Sequence, residues 1–245
     1  MGDLAIEVTG LRKSFGDLAV LKGVDFAVKS GSVTALLGVN GAGKTTLVSI
    51  LTTVLPPDSG TAVVAGFDVV REPAKARQAF AVTGQHVTID AVLTGLENLA
   101  LIARLRHVPK PKQVAAALIG QFGLTEAAGK PAGTYSGGMK RRLDIAMSLI
   151  GEPEIIFLDE PTTGLDPAGR RDVWAFIGEL AHHGTTIVLT TQYMEEAAAL
   201  ADTIALLHQG VIAAQGDQAA ILKSAGDAPD LEAAFFALTE TEAAS

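Results

Sequence analysis

The 245-residue sequence contains no cysteine, which excludes disulfide bonds and thiolate metal sites and is compatible with a reducing cytosol. It lacks any apolar run near the ~20 residues that a membrane-spanning helix needs. Residues 1–10 show no basic stretch followed by an apolar core, so we expect no secretion signal. Basic residues are scarce, 19 against 27 acidic ones, and the net charge of −8 disfavours broad nucleic-acid binding. We therefore expect a cytosolic protein that reaches a membrane only through a partner.

Hydrophobic residues make up 48% of the chain and charged residues 19%, so a sizeable core is expected. Short apolar runs alternate with helical patterns, and this alternation predicts an α/β fold with a parallel sheet. We interpret residues 1–245 as one domain, with a mostly helical subdomain at about 93–150 and a tail at about 225–245. The predicted strands are 4–8, 19–28, 33–37, 155–159, 185–190 and 203–208, with strand and turn at 60–70 and a hairpin around Gly210; the predicted helices are 44–53, 231–238 and those beginning near Pro167 and Tyr193.

Residues 38–45 match the sequence motif of a phosphate-binding loop and lie between a predicted buried strand and a predicted helix. Glycines there let successive N–H groups point at phosphate oxygens, and the helix N-terminus adds its dipole. In this motif Lys44 bridges the β- and γ-phosphates and the Thr45 hydroxyl binds Mg²⁺. The context disfavours the alternative, a glycine-rich turn with a solvated lysine. The predicted phosphate-loop contacts are Gly38, Asn40, Gly41, Ala42, Gly43, Lys44, Thr45 and Thr46.

Two acidic residues, Asp159 and Glu160, follow the apolar run 155–158. Open α/β sheets bind ligands at the carboxyl ends of their strands, so both carboxylates are predicted to face a ligand. Asp159 is predicted to hold Mg²⁺, directly or through water, and Glu160 to polarise the attacking water. An ordinary strand end turning into solvent has the same pattern, but the phosphate loop upstream and residues 161–166 downstream argue against it.

The order of these segments, with Tyr-Ser-Gly-Gly-Met at 135–139 between them, resembles the ATP-binding cassette (ABC) family over nearly the whole chain. The resemblance implies a P-loop NTPase core with a parallel sheet, an N-terminal antiparallel β subdomain and a mostly helical signature subdomain. It implies ATP and Mg²⁺ as cofactors. The implied roles are adenine stacking for Phe15, contact with Mg²⁺ and with the transmembrane partner for Gln85, contact with ATP for Ser136, Gly137 and Gly138, and a position between two protomers for Asp166.

The signature segment has a physical logic of its own. Ser136 is suited to cap a helix that begins near Gly138, and the free N–H groups of that helix end suit an anion. In the family this segment covers the ATP of a second copy, so the resemblance implies a homodimer with ATP at its interface. Hydrolysis would then open the pair, as a ligand-driven shift between two states. A separate transmembrane permease is the other implied partner.

Three segments depart from the usual sequence motifs of the family. The usual Leu-Ser-Gly-Gly-Gln reads Tyr-Ser-Gly-Gly-Met, the histidine expected after strand 185–190 is Gln192, and the glutamine-loop region reads Val-Thr-Gly-Gln at 82–85. Together they resemble the daunorubicin-resistance type of drug-export ATPase. The Gln192 amide has two donors, so it is suited to the γ-phosphate contact of the histidine, although it takes up no proton near neutral pH. We assign Lys44, Glu160 and Gln192 to the catalytic set.

The leading interpretation is the ATP-hydrolysing subunit of an exporter of drugs or other lipophilic compounds, held at the cytoplasmic side of a membrane by its permease. One alternative is a soluble cassette ATPase acting on nucleic acid or ribosomes, which the single cassette and the lack of sustained heptads disfavour. Another is a catalytically weak regulatory subunit, suggested only by Gln192. Other conspicuous residues are expected to be structural: Trp174 in packing, His182 and His183 at a helix end, and 140–142 as a solvated or ion-paired helix face.

Overall fold

The computed structural model describes residues 4–83 and 89–240. Its strands are β1 Leu4–Phe15, β2 Leu18–Lys29, β3 Val33–Leu37, β4 Ser59–Val64, β5 Phe67–Asp68, β6 Phe80–Thr83, β7 Ile155–Asp159, β8 Thr186–Thr191, β9 Thr203–His208 and β10 Val211–Gly216. Its helices are α1 Lys44–Leu51, α2 Pro73–Ala79, α3 Gly95–Leu105, α4 Pro111–Gln121, α5 Gly137–Ser148, α6 Pro167–His182, α7 Met194–Leu200, α8 Gln218–Ser224 and α9 Leu231–Glu240.

The central sheet has the order β10-β9-β3-β8-β7-β6, in which all pairs are parallel except the β9–β10 hairpin. Every residue of β3 is buried, as expected for a strand covered on both faces. In the pairing register Leu37 lies opposite Thr191, and Asp159 lies opposite Thr190. The carboxyl ends of β3, β8 and β7 therefore meet at one edge of the sheet, where the predicted site residues begin.

A second, antiparallel sheet has the order β2-β1-β4-β5. Its apolar face packs on α1, and Ile6, Val8, Leu47 and Ile50 belong to one buried cluster. This is the N-terminal antiparallel β subdomain that the sequence predicted. Its cluster also contains Phe157 of the central sheet, so the two sheets share a core on either side of α1.

The region between residues 93 and 150 is mostly helical, as the composition indicated. Thr94 begins α3 with a capping box, in which its hydroxyl accepts from the Glu97 N–H while the Glu97 carboxylate accepts from the Thr94 N–H. Buried Phe122 and Leu143 join this region to the core of the central sheet. Tyr135, at the usual leucine position, is buried and donates its hydroxyl hydrogen bond to the Ala127 carbonyl at 2.7 Å.

Several elements differ from the prediction. Helices α2 and α8 and strand β6 were not predicted. The helices have seven residues each and the strand has four, which is too short to show a clear hydrophobic periodicity. Strand β1 runs on to Phe15 because its antiparallel pairing with β2 continues beyond the predicted end. Helix α1 ends two residues earlier than predicted, at Leu51. Across the described ranges, no helix is both long and apolar enough to cross a membrane.

Candidate functional site

The phosphate loop connects β3 to α1 in a conformation that requires glycine. Gly41 and Gly43 have φ angles of 83° and 110°, which side-chain-bearing residues rarely adopt. A Cβ on Gly43 would also lie 2.9 Å from Leu21 Cδ2 of the antiparallel sheet. The sheet below the loop and the backbone of the loop itself therefore both select glycine at position 43.

Lys44, the first residue of α1, is buried, and its ammonium lies over the loop. Its Nζ donates to the carbonyl oxygens of Gly38 at 2.7 Å and Val39 at 3.2 Å. Burial lowers the pKa of Lys44, and the charges of Glu160 and Asp159 oppose that shift. The ammonium is thus within electrostatic reach of both acids, Asp159 predicted to hold Mg²⁺ and Glu160 predicted to polarise water.

A cavity of about 390 Å³ lies over the loop and gathers most of the predicted nucleotide-binding residues. This volume suits a small-molecule ligand. Gly38 and Ala42 are buried and do not line the cavity. Larger clefts of about 520 and 670 Å³ lie elsewhere and contain none of the predicted site residues. The cavity is lined by Phe15, Leu18, Val20, Asn40, Gly41, Gly43, Lys44, Thr45, Thr46 and Glu160.

Phe15 is 49% exposed at the end of β1, so it is not a core aromatic. The Lys13 ammonium lies 5.6 Å from the centroid of its ring and is itself paired with Asp58 at 2.9 Å. An exposed aromatic face at the rim of a phosphate cavity is suited to stack on a nucleobase. The adenine-stacking role of Phe15 stays a prediction.

Thr190 holds the two acids at the end of β7. Its hydroxyl donates to Asp159 Oδ1 at 2.5 Å and accepts from the Glu160 N–H at 3.0 Å. Glu160 has a φ of 45°, a conformation that costs free energy for any residue with a side chain. Its Oε2 accepts a hydrogen bond from the Thr163 hydroxyl at 3.1 Å. The carboxylate predicted to polarise water therefore stands on a strained backbone held by its neighbours.

Arg141 lies on α5 and reaches the same strand end. It is buried, and its Nη1 pairs with Asp144 Oδ2 at 3.1 Å. Its Nε donates to the Pro161 carbonyl at 3.0 Å, and its Nη2 donates to the Asp159 carbonyl at 3.2 Å. Burial lowers the pKa of Arg141, against the opposing charges of Asp144, Asp159 and Glu196. For Arg141 the ion-paired alternative of the prediction is confirmed, but the side chain is buried, whereas residues 140 and 142 are partly exposed.

The signature residues lie together at the start of α5. Ser136 caps this helix, as predicted, and its Oγ accepts from the Met139 N–H at 3.2 Å. Gly137 packs so closely on Leu165 that a Cβ there would lie 2.9 Å from Leu165 Cδ2. Asp166 caps α6 and accepts from the Gly169 N–H at 2.8 Å. Ser136, Gly137 and Asp166 are exposed, and none of them lines the cavity over the phosphate loop.

Gln192 follows β8 directly and is partly buried. The Gly38 N–H donates to the Thr191 carbonyl at 3.2 Å, which places the Gln192 backbone beside the phosphate loop. Gln85, the other predicted glutamine, lies outside the described residues.

Two of the three predicted metal ligands, Thr45 and Asp159, lie among the described residues and suit a magnesium ion. Thr45 lines the cavity, and Asp159 ends the strand next to Glu160, so a hydroxyl and a carboxylate are available at one sheet edge. Within residues 4–83 and 89–240, no group of three or more His, Cys, Asp or Glu side chains could hold a metal alone. Mg²⁺ usually binds through one or two protein oxygens together with water and substrate phosphates, so this sparse donor set suits it.

Three polar residues of the site were not predicted. Thr190 and Arg141 are described above, and the third is Glu196 of α7, which is 1% exposed. Glu196 Oε1 accepts from the Thr162 hydroxyl at 2.6 Å and from Trp174 Nε1 at 3.0 Å, so Trp174 has a polar role besides packing. Knowledge that β7 and β8 are neighbouring parallel strands would have predicted Thr190 as a site residue, because it lies opposite Asp159. No local pattern distinguishes Arg141 from its basic neighbours.

Comparisons with known proteins agree with this geometry. The ABC transporter family profile matches residues 21–163. The chain is 48% identical to the doxorubicin resistance ATP-binding protein DrrA of Mycobacterium tuberculosis, over 92% of this chain and 69% of that protein. It is 46% identical to the daunorubicin/doxorubicin resistance ATP-binding protein DrrA of Streptomyces peucetius, over 91% of this chain and 68% of that protein.

Solved structures show the same fold. An ATP-binding subunit of an ABC transporter superposes with a TM-score of 0.82 at 27% identity, covering 96% of this chain and 99% of that one. The ADP conformation of another ATP-binding cassette gives 0.82 at 26% identity, covering 94% and 98%. Since both the profile and these relatives cover most of the cassette, the chain belongs to the ABC transporter family, as one of its ATP-binding and ATP-hydrolysing subunits.

Proposed function

We propose that two copies of this chain close around two Mg-ATP molecules and thereby drive a separate permease that exports drugs or other lipophilic compounds. The observation that carries the proposal is the separation of the two predicted ATP-contacting sets within one chain. Lys44 and Thr45 line the cavity, whereas Ser136 and Gly137 lie exposed outside it. A second copy would supply the signature that each cavity lacks.

The residues of the chain divide the chemistry among them. The phosphate loop and Lys44 would hold the β- and γ-phosphates through backbone N–H groups and one ammonium. Thr45 and Asp159 would hold Mg²⁺, which neutralises phosphate charge when bound. Glu160, at the cavity wall, would orient and polarise the attacking water. Gln192, beside the loop, would donate a hydrogen bond to the γ-phosphate.

Export of lipophilic compounds is supported by the relatives, whose names describe resistance to doxorubicin, daunorubicin and linearmycin. The acidic net charge of −8 disfavours the alternative of a cassette acting on nucleic acid. The alternative of a weak regulatory subunit has little support, because Lys44, Asp159 and Glu160 are all present at the expected strand and loop ends. The permease would hold the chain at the cytoplasmic face of its membrane.

The variant Glu160→Gln tests the proposal, because it keeps the side-chain shape and removes the carboxylate. Light scattering should show a monomer without nucleotide and a stable dimer with Mg-ATP, while turnover falls by about 10²-fold or more. Cells carrying only this variant should accumulate more doxorubicin than cells with the unaltered chain. A monomer at saturating Mg-ATP contradicts the sandwich, and unchanged drug accumulation contradicts the assigned class of cargo.

A further inference from the structure

The guanidinium of Arg141 holds the backbone on both sides of Glu160. Its Nε donates to the carbonyl of the following residue, Pro161, and its Nη2 donates to the carbonyl of the preceding residue, Asp159, at 3.0 and 3.2 Å. The remaining branch, Nη1, is anchored on Asp144 of the same helix. Arginine is suited to this task because its donors lie in one rigid plane.

Glu160 needs such support because its φ angle of 45° is costly for a residue with a side chain. Such conformations persist only where the surroundings over-determine them. Thr190 fixes the Glu160 N–H from β8, and Arg141 fixes the two flanking carbonyls from α5. The position of the Glu160 carboxylate is therefore set by a helix as well as by the sheet.

The helix in question is the one that Ser136 caps, and Arg141 lies little more than one turn beyond that cap. We infer that Arg141 is a positioning residue that fixes Glu160 of its own chain and links it to the signature end of α5. The inference rests on the proposed function, in which Ser136 meets the ATP of the other copy. Contact at the signature of a chain would thereby be linked to the catalytic acid of that same chain.

The variant Arg141→Lys tests the role while keeping a buried positive charge beside Asp144. A lysine cannot span both carbonyls in one plane, so Glu160 should be misplaced although the fold survives. We expect turnover to fall by about 10- to 100-fold, with affinity for a non-hydrolysable ATP analogue within about threefold of the unaltered chain. In the Glu160→Gln background, Arg141→Lys should leave the Mg-ATP dimer intact.

Arg142→Lys is the matched control. Arg142 is the next residue of α5, and its Nη1 donates to the Phe122 carbonyl within the helical region, away from Glu160. We expect its turnover to stay within about twofold of the unaltered chain, because its hydrogen bond to Phe122 does not involve the backbone around Glu160. Asp144→Asn provides a milder perturbation of the same network, and should lower turnover by less than Arg141→Lys with unchanged affinity for the analogue.

Hybrid dimers separate the positioning role from a general effect on the signature helix. Pairing a Lys44→Ala chain with an Arg141→Lys chain leaves one working cavity, whose Glu160 lacks its native Arg141. The second hybrid pairs a chain that carries both changes with an unaltered chain. Its one working cavity belongs to the unaltered chain, which keeps Arg141, and the altered signature helix comes from the other chain. Single-turnover hydrolysis should fall in the first hybrid and match that of the Lys44→Ala hybrid with an unaltered chain in the second.

A loss confined to the second hybrid, or equal losses in both, overturns the inference in favour of a role in the signature helix. Should the Lys44→Ala hybrid itself be inactive, the homodimers decide, because equal turnover of Arg141→Lys and Arg142→Lys also overturns it. These outcomes differ from failure of the proposed function. In that case the unaltered chain would not hydrolyse ATP, and the Glu160→Gln variant would not dimerise with Mg-ATP, whatever residue stands at 141.

Discussion

The cavity over the phosphate loop and the signature end of α5 both contain a helix N-terminus, but they differ in how many other binding groups lie beside it. The cavity combines a helix N-terminus, a buried ammonium, an aromatic rim at Phe15 and an acid at its wall, all within one chain. The signature end also presents a capped helix N-terminus, and the described neighbours packed on its glycines are Leu165 and Gly169 of the same chain. We call the cavity the whole site and the signature end the half-site, because in the proposed dimer the signature end only closes the cavity of the other copy.

This difference follows from the sheet topology. Residues that share a ligand within one chain come from strand ends at one edge, where β3, β7 and β8 stop side by side. Ser136 instead caps α5, a helix of the 93–150 region, and does not line the cavity at that edge. Disturbing the whole site should therefore weaken ATP binding, whereas disturbing the half-site should prevent closure and spare binding.

Ser136→Arg is the strongest test of this contrast. Added bulk and charge at the half-site should abolish the Mg-ATP dimer of the Glu160→Gln chain, and turnover of the otherwise unaltered chain should fall by about 10²-fold or more. Affinity of the monomer for ATP should change by less than about threefold, because the residue lies outside the cavity. Sedimentation and equilibrium binding measure the two effects separately.

Its control is Ser136→Ala, which removes the helix cap without adding bulk. The loss of the bond to the Met139 N–H should cost about 1 kcal/mol in the free energy of unfolding, seen as a lower urea midpoint. The dimer should still form. If arginine and alanine have the same effect on dimerisation, the half-site acts through helix stability and the proposed contact in trans is wrong.

Lys44→Ala disturbs the whole site instead. Removing a charge-assisted contact to phosphate costs about 1.5–3 kcal/mol, which corresponds to a loss of roughly 10- to 100-fold in ATP affinity. Calorimetric titration of the folded variant measures it, with Lys112→Ala on the exposed side of α4 as a charge-matched control. Unchanged affinity in Lys44→Ala would remove this residue from the binding set.

The same contrast explains what sequence reasoning could reach. Strands β3, β7 and β9 were predicted with their observed bounds, since each is a short apolar run between clear punctuation. The phosphate-loop residues and Glu160 of the cavity were predicted because they belong to contiguous motifs, whereas Leu18 and Val20, which also line it, were not predicted. Arg141 and Glu196 were missed because their partners are 18 to 34 residues away, and only the packing of α5 and α7 brings them together.

Substitution of Gln192 has the smallest expected effect on turnover, and it tests whether this residue belongs to the whole site. The family resemblance places a histidine here, and glutamine offers an amide donor of similar reach but no titratable group. If the role is to position the γ-phosphate, Gln192→Ala should lower turnover about tenfold, equivalent to ~1.4 kcal/mol of transition-state stabilisation. Gln192→His should stay within a few-fold of the unaltered chain at pH 8.

The pH profile sharpens this last comparison. A histidine at 192 would titrate near its usual pKa of about 6.5, so the rate of that variant should change between pH 6 and 8, whereas the glutamine cannot contribute such a change. Stopped-flow hydrolysis with the permease present measures all three chains. If alanine supports the same turnover as glutamine, the contact does not exist, and the site is complete without Gln192. If turnover falls about tenfold in Gln192→Ala and is restored in Gln192→His, Gln192 belongs to the site. It follows the Thr191 carbonyl, which accepts a hydrogen bond from the Gly38 N–H.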